Sequence, residues 1–332
     1  MKKVTRVMAA IAALTVSACG GSSNANGAKV NSDKTANDSA SCTNTVKKKG
    51  VQKVTVWAWY PAIEQVVDDF NETHDDLQVC WNNGRQGGGE YTKFQNAIKA
   101  GKGAPDVIQL VDLSQFGFTD HKDDYTEGAW KSVQLGSEDK VYGVPVDLGP
   151  FVMYVRQDIF DKYNVKVPTT WAEFEQAGKD LKAAGYDGYL TDFAPNGTAF
   201  NIALFAQKNQ NVYNYSASDP TKASVNFNTD GVKEVLGYWQ NLVKEGLVDT
   251  TDANTNDWTT NILGGKYATW VQASWQTGYL KGAGDTNGQF RIYNAPVWDD
   301  STPMVNQGGS AWAVTDQAKD TEAAYKVARE LF

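Results

Sequence analysis

An α/β architecture is predicted by three observations. Segments with strand periodicity alternate with segments of helical periodicity. Turns rich in glycine and polar residues separate them, as in "NNGRQGGGE" and "GKGAPD". One long β-rich run, "KVYGVPVDLGPFVMYV" (140–155), is interrupted by Pro145 and Pro150, as a crossing between domains would be. The alternation argues for a mainly parallel sheet covered on both faces.

The elements follow in order. In "KVTVWAWYP", Val54, Val56 and Ala58 alternate with Thr55, Trp57 and Trp59, which predicts a strand over 53–60. A helix over 62–73 places Ile63, Val66, Val67 and Phe70 on one face. Strands are predicted at 77–81 and 106–110, with an amphipathic helix at 91–100 between them. Further helices are expected at 171–184, 199–207, 229–245 and 256–263. "GKYATWVQASW", "QFRIYNAPVW" and "GGSAWAVT" are strand-like, and "DTEAAYKVARELF" is helical. Trp57, Trp130, Trp171 and Trp239 are expected in the core, and no internal repeat stands out.

The chain has 332 residues and a formal net charge of −8, a size that suits about two globular domains. Acidity without a basic stripe argues against nucleic acid as a partner. The N-terminus, "MKKVTRVMAAIAALTVSAC", has the positive start and short apolar core of a secretory signal, residues 1–19. The apolar core is too short to span a bilayer. Its end, "VSAC" before Gly20, resembles the lipobox of bacterial lipoproteins, which implies lipidation of Cys19. Residues 20–42 are polar and predicted to be a flexible tether. In an exported chain, Cys42 and Cys80 are candidates for a disulfide.

Several chemistries are excluded or unsupported. "GRQGGGE" lacks the Lys-Ser/Thr of a phosphate loop. "DANTND" starts like a calcium loop, but Asp257 replaces its glycine and Leu263 its final glutamate. His74 and His121 are too few and too far apart to suggest zinc. No Gly-x-Ser-x-Gly elbow is present. No metal and no cofactor is expected.

The pieces "FNETHDDLQV", "GKGAPDVIQL", "VYGVPVDLGPFVMYVRQDIFDKYNVKVPTTWAEF", "GGKYATWVQASWQTGYL" and "NQGGSAWAVTDQAKDTEAAYKVARELF" occur in this order. Together they resemble extracellular solute-binding proteins of ABC importers, in the maltose-binding-like group that captures oligosaccharides. The resemblance implies a two-lobed periplasmic-binding-protein-like fold with the ligand cleft between lobes joined by hinge strands. It puts residues 43–146 plus 297–332 in a first lobe and 147–296 in a second. It also implies no catalysis, an oligosaccharide ligand, ABC permease subunits as partners, and a lipid anchor on the outer face of the bacterial cytoplasmic membrane. Relatives carry a further loop and short helix where only Val111 stands here, and continue past Phe332, so part of the family fold is expected to be missing.

Neutral sugars present flat C–H faces, which suit aromatic rings, and hydroxyl edges, which suit Asp, Asn and Gln. Eleven tryptophans on an acidic chain fit that chemistry. In an open parallel sheet, ligands lie beyond the carboxyl ends of the strands, which selects Trp59 and Tyr60. Trp275 and Asp147 match family positions in the cleft and at the hinge. Asn83, Gln86, Asp192, Trp258 and Ser310 complete the candidate set. A secreted hydrolase with paired carboxylates, or a surface adhesin, is the alternative.

Overall fold

The computed structural model describes residues 42–332, except 60–62, 84–87, 109–112, 220, 254, 285–288 and 332. Cys19, the tether up to residue 41, Tyr60, Gln86 and Val111 therefore lie outside the described residues. No described helix is long and apolar enough to cross a membrane.

The first part of the chain runs β1 (Gln52–Trp57), α1 (Ile63–Thr73), β2 (Leu77–Asn82) and α2 (Gly88–Ala100). β1 and β2 pair in parallel, from Gln52 opposite Leu77 to Trp57 opposite Asn82. Val54, Val56 and Val79 are buried beneath Ile63, Val67 and Phe70 of α1, the face that helical spacing predicts. Cys42 and Cys80 form a disulfide across a sequence separation of 38. Two short 3-10 turns, Leu113–Phe116 and Phe118–Asp124, lead into α3 (Glu127–Gln134), which Thr126 caps by accepting from the Ala129 N–H.

β3 (Val144–Arg156) then leaves this region and enters a second one. There follow α4 (Gln157–Tyr163), α5 (Trp171–Ala183), β4 (Thr191–Asp192), α6 (Thr198–Ala206), the hairpin β5 (Tyr213–Tyr215) and β6 (Ala223–Val225), and α7 (Asp230–Lys244). β7 (Val248–Asp249), α8 (Asn256–Leu263), β8 (Thr269–Ala273), α9 (Gln276–Ala283) and β9 (Phe290–Asn294) complete it. β10 (Asn306–Trp312) returns along β3, and α10 (Thr321–Glu330) follows. Threonine caps at 170, 229 and 255 start α5, α7 and α8 by the same side-chain bond to the third helical residue.

The buried side chains form two large clusters. One joins Val54, Val79, Trp130, Val144, Val314 and Val327. The other joins Met153, Trp171, Phe174, Phe200, Trp239 and Val271. Trp130, Trp171 and Trp239 are buried in these clusters and Trp57 in a smaller one with Phe94 and Ile108, because large buried rings remove much apolar area from water.

Two expectations need correction. The sheet is mixed rather than mainly parallel. β1–β2 and β4–β7 are parallel, but β3 pairs antiparallel with β10, β8 and β9. The cause is the crossing itself: a chain that leaves and returns on neighbouring strands must run both ways. The strand expected over 106–110 is, among its described residues, a bridge at Val107 between Val56 and Val314. Asp106 contributes side-chain bonds there, accepting from the N–H and Oγ1 of Thr55. The hairpin β5–β6 and helices α4 and α9 were not expected from the sequence. The hairpin turns back to the end of α3, where the Ala217 N–H donates to the Leu135 oxygen at 2.8 Å.

Candidate functional site

A concave surface opens beyond the end of β1. Trp57, Ala58, Trp59, Tyr91, Ile108 and Val146 line it, with Gly309 to Trp312 of β10 on the other side. Trp59 is half-buried and meets exposed Tyr91 edge-on, with ring centroids 5.6 Å apart. Partial burial of the Tyr91 side chain pushes its hydroxyl pKa up, although the residue as a whole is exposed. Trp57 is buried behind this wall, and the Lys93 ammonium lies 3.6 Å from its ring centroid. Trp81 steadies the wall by donating its indole N–H to the Ala58 oxygen at 2.8 Å.

The crossing strands supply the polar middle. Asp147 and Ser310 are both exposed and sit opposite one another in the β3–β10 ladder. Trp275 stands between β8 and α9 and meets Tyr279 edge-on, centroids 5.8 Å apart. The Tyr279 hydroxyl pKa is raised, first by burial and then by the charge of Asp147.

Other candidates fall elsewhere. Asn83 is exposed just after β2, and its backbone N–H donates to Thr43 Oγ1 at 3.0 Å. Asp192 and Trp258 lie at the end of β4 and the start of α8. They bond each other, Trp258 Nε1 donating to Asp192 Oδ2 at 2.8 Å. Trp258 packs with Tyr154, Ile262, Tyr267 and Trp270. Burial pushes the Asp192 carboxyl up to about 6, against the bond from Trp258. Asp249 is its neighbour across β4–β7. Burial pushes the Asp249 carboxyl up, but bonds from Tyr267 and Thr251 and the Lys266 charge outweigh that, and the net direction is down.

The concave wall thus brings Trp59 and Ser310 together, with Asp147 on the ladder beside Ser310. Trp275 reaches the same strand, β10, by donating its Nε1–H to the Gln307 oxygen at 3.0 Å. Tyr91 and Ile108 are wall residues, and Tyr279 a partner of Trp275, that the sequence did not single out. Tyr91 is the first residue of the helix expected at 91–100, just after the glycine-rich turn, and that was the available signal. No cluster of three or more metal-ligating side chains occurs among the described residues.

A folded α/β chain with two cores, crossing strands and an aromatic concavity beside them belongs to the two-lobed binding-protein class. The chain is a member of the bacterial extracellular solute-binding protein family, whose model matches residues 57–332. The family is one of solute-binding proteins, so the chain is a binding protein and not an enzyme.

Among curated relatives, the lactose-binding protein of Rhizobium radiobacter is 24% identical over 314 residues, covering 84% of this chain and 70% of that protein. A maltooligosaccharide ABC transporter solute-binding lipoprotein of Streptococcus pneumoniae is 27% identical, over 60% of this chain and 47% of that protein. This chain therefore spans about half the length of the latter. Among solved structures, the ABC-transporter-associated binding protein of B. animalis subsp. lactis Bl-04, in complex with beta-1,6-galactobiose, is 29% identical. It superposes with a TM-score of 0.72 over 84% of this chain and 71% of that one. The galacto-N-biose-/lacto-N-biose I-binding protein of Bifidobacterium longum gives the same TM-score at 24% identity, a likeness of fold.

Proposed function

We propose that this chain captures a neutral oligosaccharide between its lobes and delivers it to the permease of an ABC importer by hinge closure. The observation that carries the reading is the Trp59–Tyr91 wall with Ser310 lining the same concavity, Asp147 being the ladder partner of Ser310. An edge-on aromatic pair offers an apolar face to a sugar ring, while the carboxylate and hydroxyl suit its hydroxyls. The relatives named for lactose, maltooligosaccharide and beta-1,6-galactobiose support the same ligand class.

The ligand set under this reading is Trp59, Tyr60, Asn83, Gln86, Asp147, Trp275 and Ser310, with Tyr91 and Tyr279 added. Asp192 and Trp258 act differently, as a buried support beneath the second-lobe surface, since each already satisfies the other. Residues 43–146 with 297–332 form the first lobe and 147–296 the second. The division of the buried side chains into two clusters supports this boundary, although Trp298 and Val305 lie against the second cluster and favour a return crossing at β10. Cys19 carries the lipid anchor, and the polar residues after it hold the receptor off the outer face of the membrane. The lipobox-like "VSAC" and the lipoprotein relative support that arrangement.

The test is a thermal melt of the full chain with lactose, beta-1,6-galactobiose and maltotriose. A saturable rise with one sugar is expected, because a ligand that binds only the native state stabilises it by mass action. A cooperative melt that no neutral sugar moves would overturn the reading.

A further inference from the structure

Trp275 is held by more than its own helix. Its Nε1–H donates to the backbone oxygen of Gln307, on crossing strand β10, at 3.0 Å. The indole fits there because residue 149 on β3 is glycine. A Cβ at Gly149 would lie 2.7 Å from the Trp275 Nε1, 3.0 Å from its Cδ1 and 2.3 Å from the Gln307 oxygen. The last of these contacts is with backbone, so rotating a side chain cannot relieve it.

Gln307 is itself anchored. It is 5% exposed, and its Nε2 donates to the Gln272 Oε1 on β8. Its Oε1 is buried without a hydrogen-bond partner. The next two residues, Gly308 and Gly309, have φ of 77° and 120°, in the left-handed region that glycine tolerates. The β10–β3 register shifts between Asn306 and Gly309, where these residues bend the strand. The acceptor for the indole therefore stands one residue before the bend in a crossing strand.

We propose that Gly149, Gln307 and Trp275 form a positioning unit that couples the orientation of the Trp275 ring to the bend of crossing strand β10. Lobe closure concentrates its backbone rotations in a few residues of the crossing segments. If the Gly308–Gly309 bend changes, the Gln307 oxygen moves, and the ring must follow or lose its bond. A ring that stacks on ligand then favours one hinge geometry, which is the differential interaction that a population shift requires. This last consequence rests on the oligosaccharide reading. The unit itself is tested without ligand.

The experiment uses the full chain with nitrogen-15 label. Eleven tryptophans give eleven indole N–H signals, and Trp275→Phe deletes one and so identifies it. In Gly149→Ala, that signal is expected to move and its solvent exchange to speed about fivefold, the effect of losing one net hydrogen bond. The other indole signals should stay in place. In Trp275→Phe, which keeps an aromatic face but no donor, amide exchange across Asn306–Trp312 is expected to speed severalfold. An unmoved Trp275 signal in Gly149→Ala, or unchanged exchange of β10 in Trp275→Phe, would overturn the proposal. Should Gly149→Ala fail to fold, the Trp275→Phe exchange decides by itself. Beta-1,6-galactobiose added to the wild-type chain separates the two readings, because failure to bind it leaves the ligand-free results standing.

Discussion

At two strand ends the same residue logic has opposite outcomes. Past the end of β1, Trp59 is half-buried and meets exposed Tyr91 over a concavity. At the end of β4, Asp192 and Trp258 are 5% and 8% exposed and bonded to one another. Both places are carboxyl ends of strands in parallel pairs, where ligands are expected. What differs is the element laid across each end. The first receives crossing strand β10, whose Gly309 and Ser310 are too small to fill the space. The second receives α8, whose Thr255-capped first turn turns Trp258 onto Trp270, with centroids 5.3 Å apart. An aromatic ring at a strand end is thus a wall or a plug according to the size of what covers it.

The comparison breaks hardest at Trp270. It is 2% exposed beneath Trp258, so Trp270→Ala is expected to cost about 3–5 kcal/mol in urea unfolding, as large cavities in cores do. A loss no larger than that of a surface substitution would show that the second strand end is not a core. The disulfide comes next, because it fastens the segment before β1 alongside β2. Cys80→Ser is expected to cost about 2–4 kcal/mol, and a reducing agent should lower the wild-type melting temperature to that of the variant.

The buried carboxylate sharpens the contrast through pH. Asp192 has a native-state pKa raised from 3.8 to about 6, so the folded chain holds this proton more tightly than the unfolded one. Its contribution to stability is full below pH 3.8 and is lost as pH rises through about 6. Asp192→Asn stays neutral and can still accept from Trp258. The variant is expected to be the more stable at pH 7, by up to about 3 kcal/mol, with the gap closing towards pH 4. Melting curves of both proteins across that range check it, and parallel curves would contradict a buried ionising Asp192.

The smallest stability effect is expected at the open end. Trp59→Ala should cost about 1 kcal/mol or less, yet weaken binding of the recognised sugar about tenfold or more, measured by calorimetry. Trp258→Phe should show the reverse pattern, a loss of stability of about 1–3 kcal/mol from leaving Asp192 unpaired.

How much was legible before the structure varies by element. Helices α1, α5, α7, α8 and α10 follow from periodicity, and four of these starts carry a Thr or Asp cap that local sequence displays. The crossing character of β3 was legible from Pro145 and Pro150, whose missing N–H groups leave ladder positions without a donor. β4 and β7 were not legible, because strands of two residues carry no periodicity. Of the candidate residues, Trp59, Asp147, Trp275 and Ser310 were selected by type and place, whereas Tyr91 and Tyr279 looked like ordinary helix residues.

Local chemistry accounts for the rest of the legible part: the alternation that makes an α/β chain, the signal-like N-terminus, and the richness in aromatic residues. Those properties depend on neighbours a few positions apart, which the sequence places in contact by geometry of helix and strand. The direction of the crossing strands, the fate of Trp258 and the lodging of Trp275 against Gly149 depend on residues far apart in the chain. Gln307 is 32 positions from Trp275, and Trp258 is 66 from Asp192. Such pairs form only when the whole core closes and buries them, because burial is what makes an unmet donor or a misplaced Cβ costly.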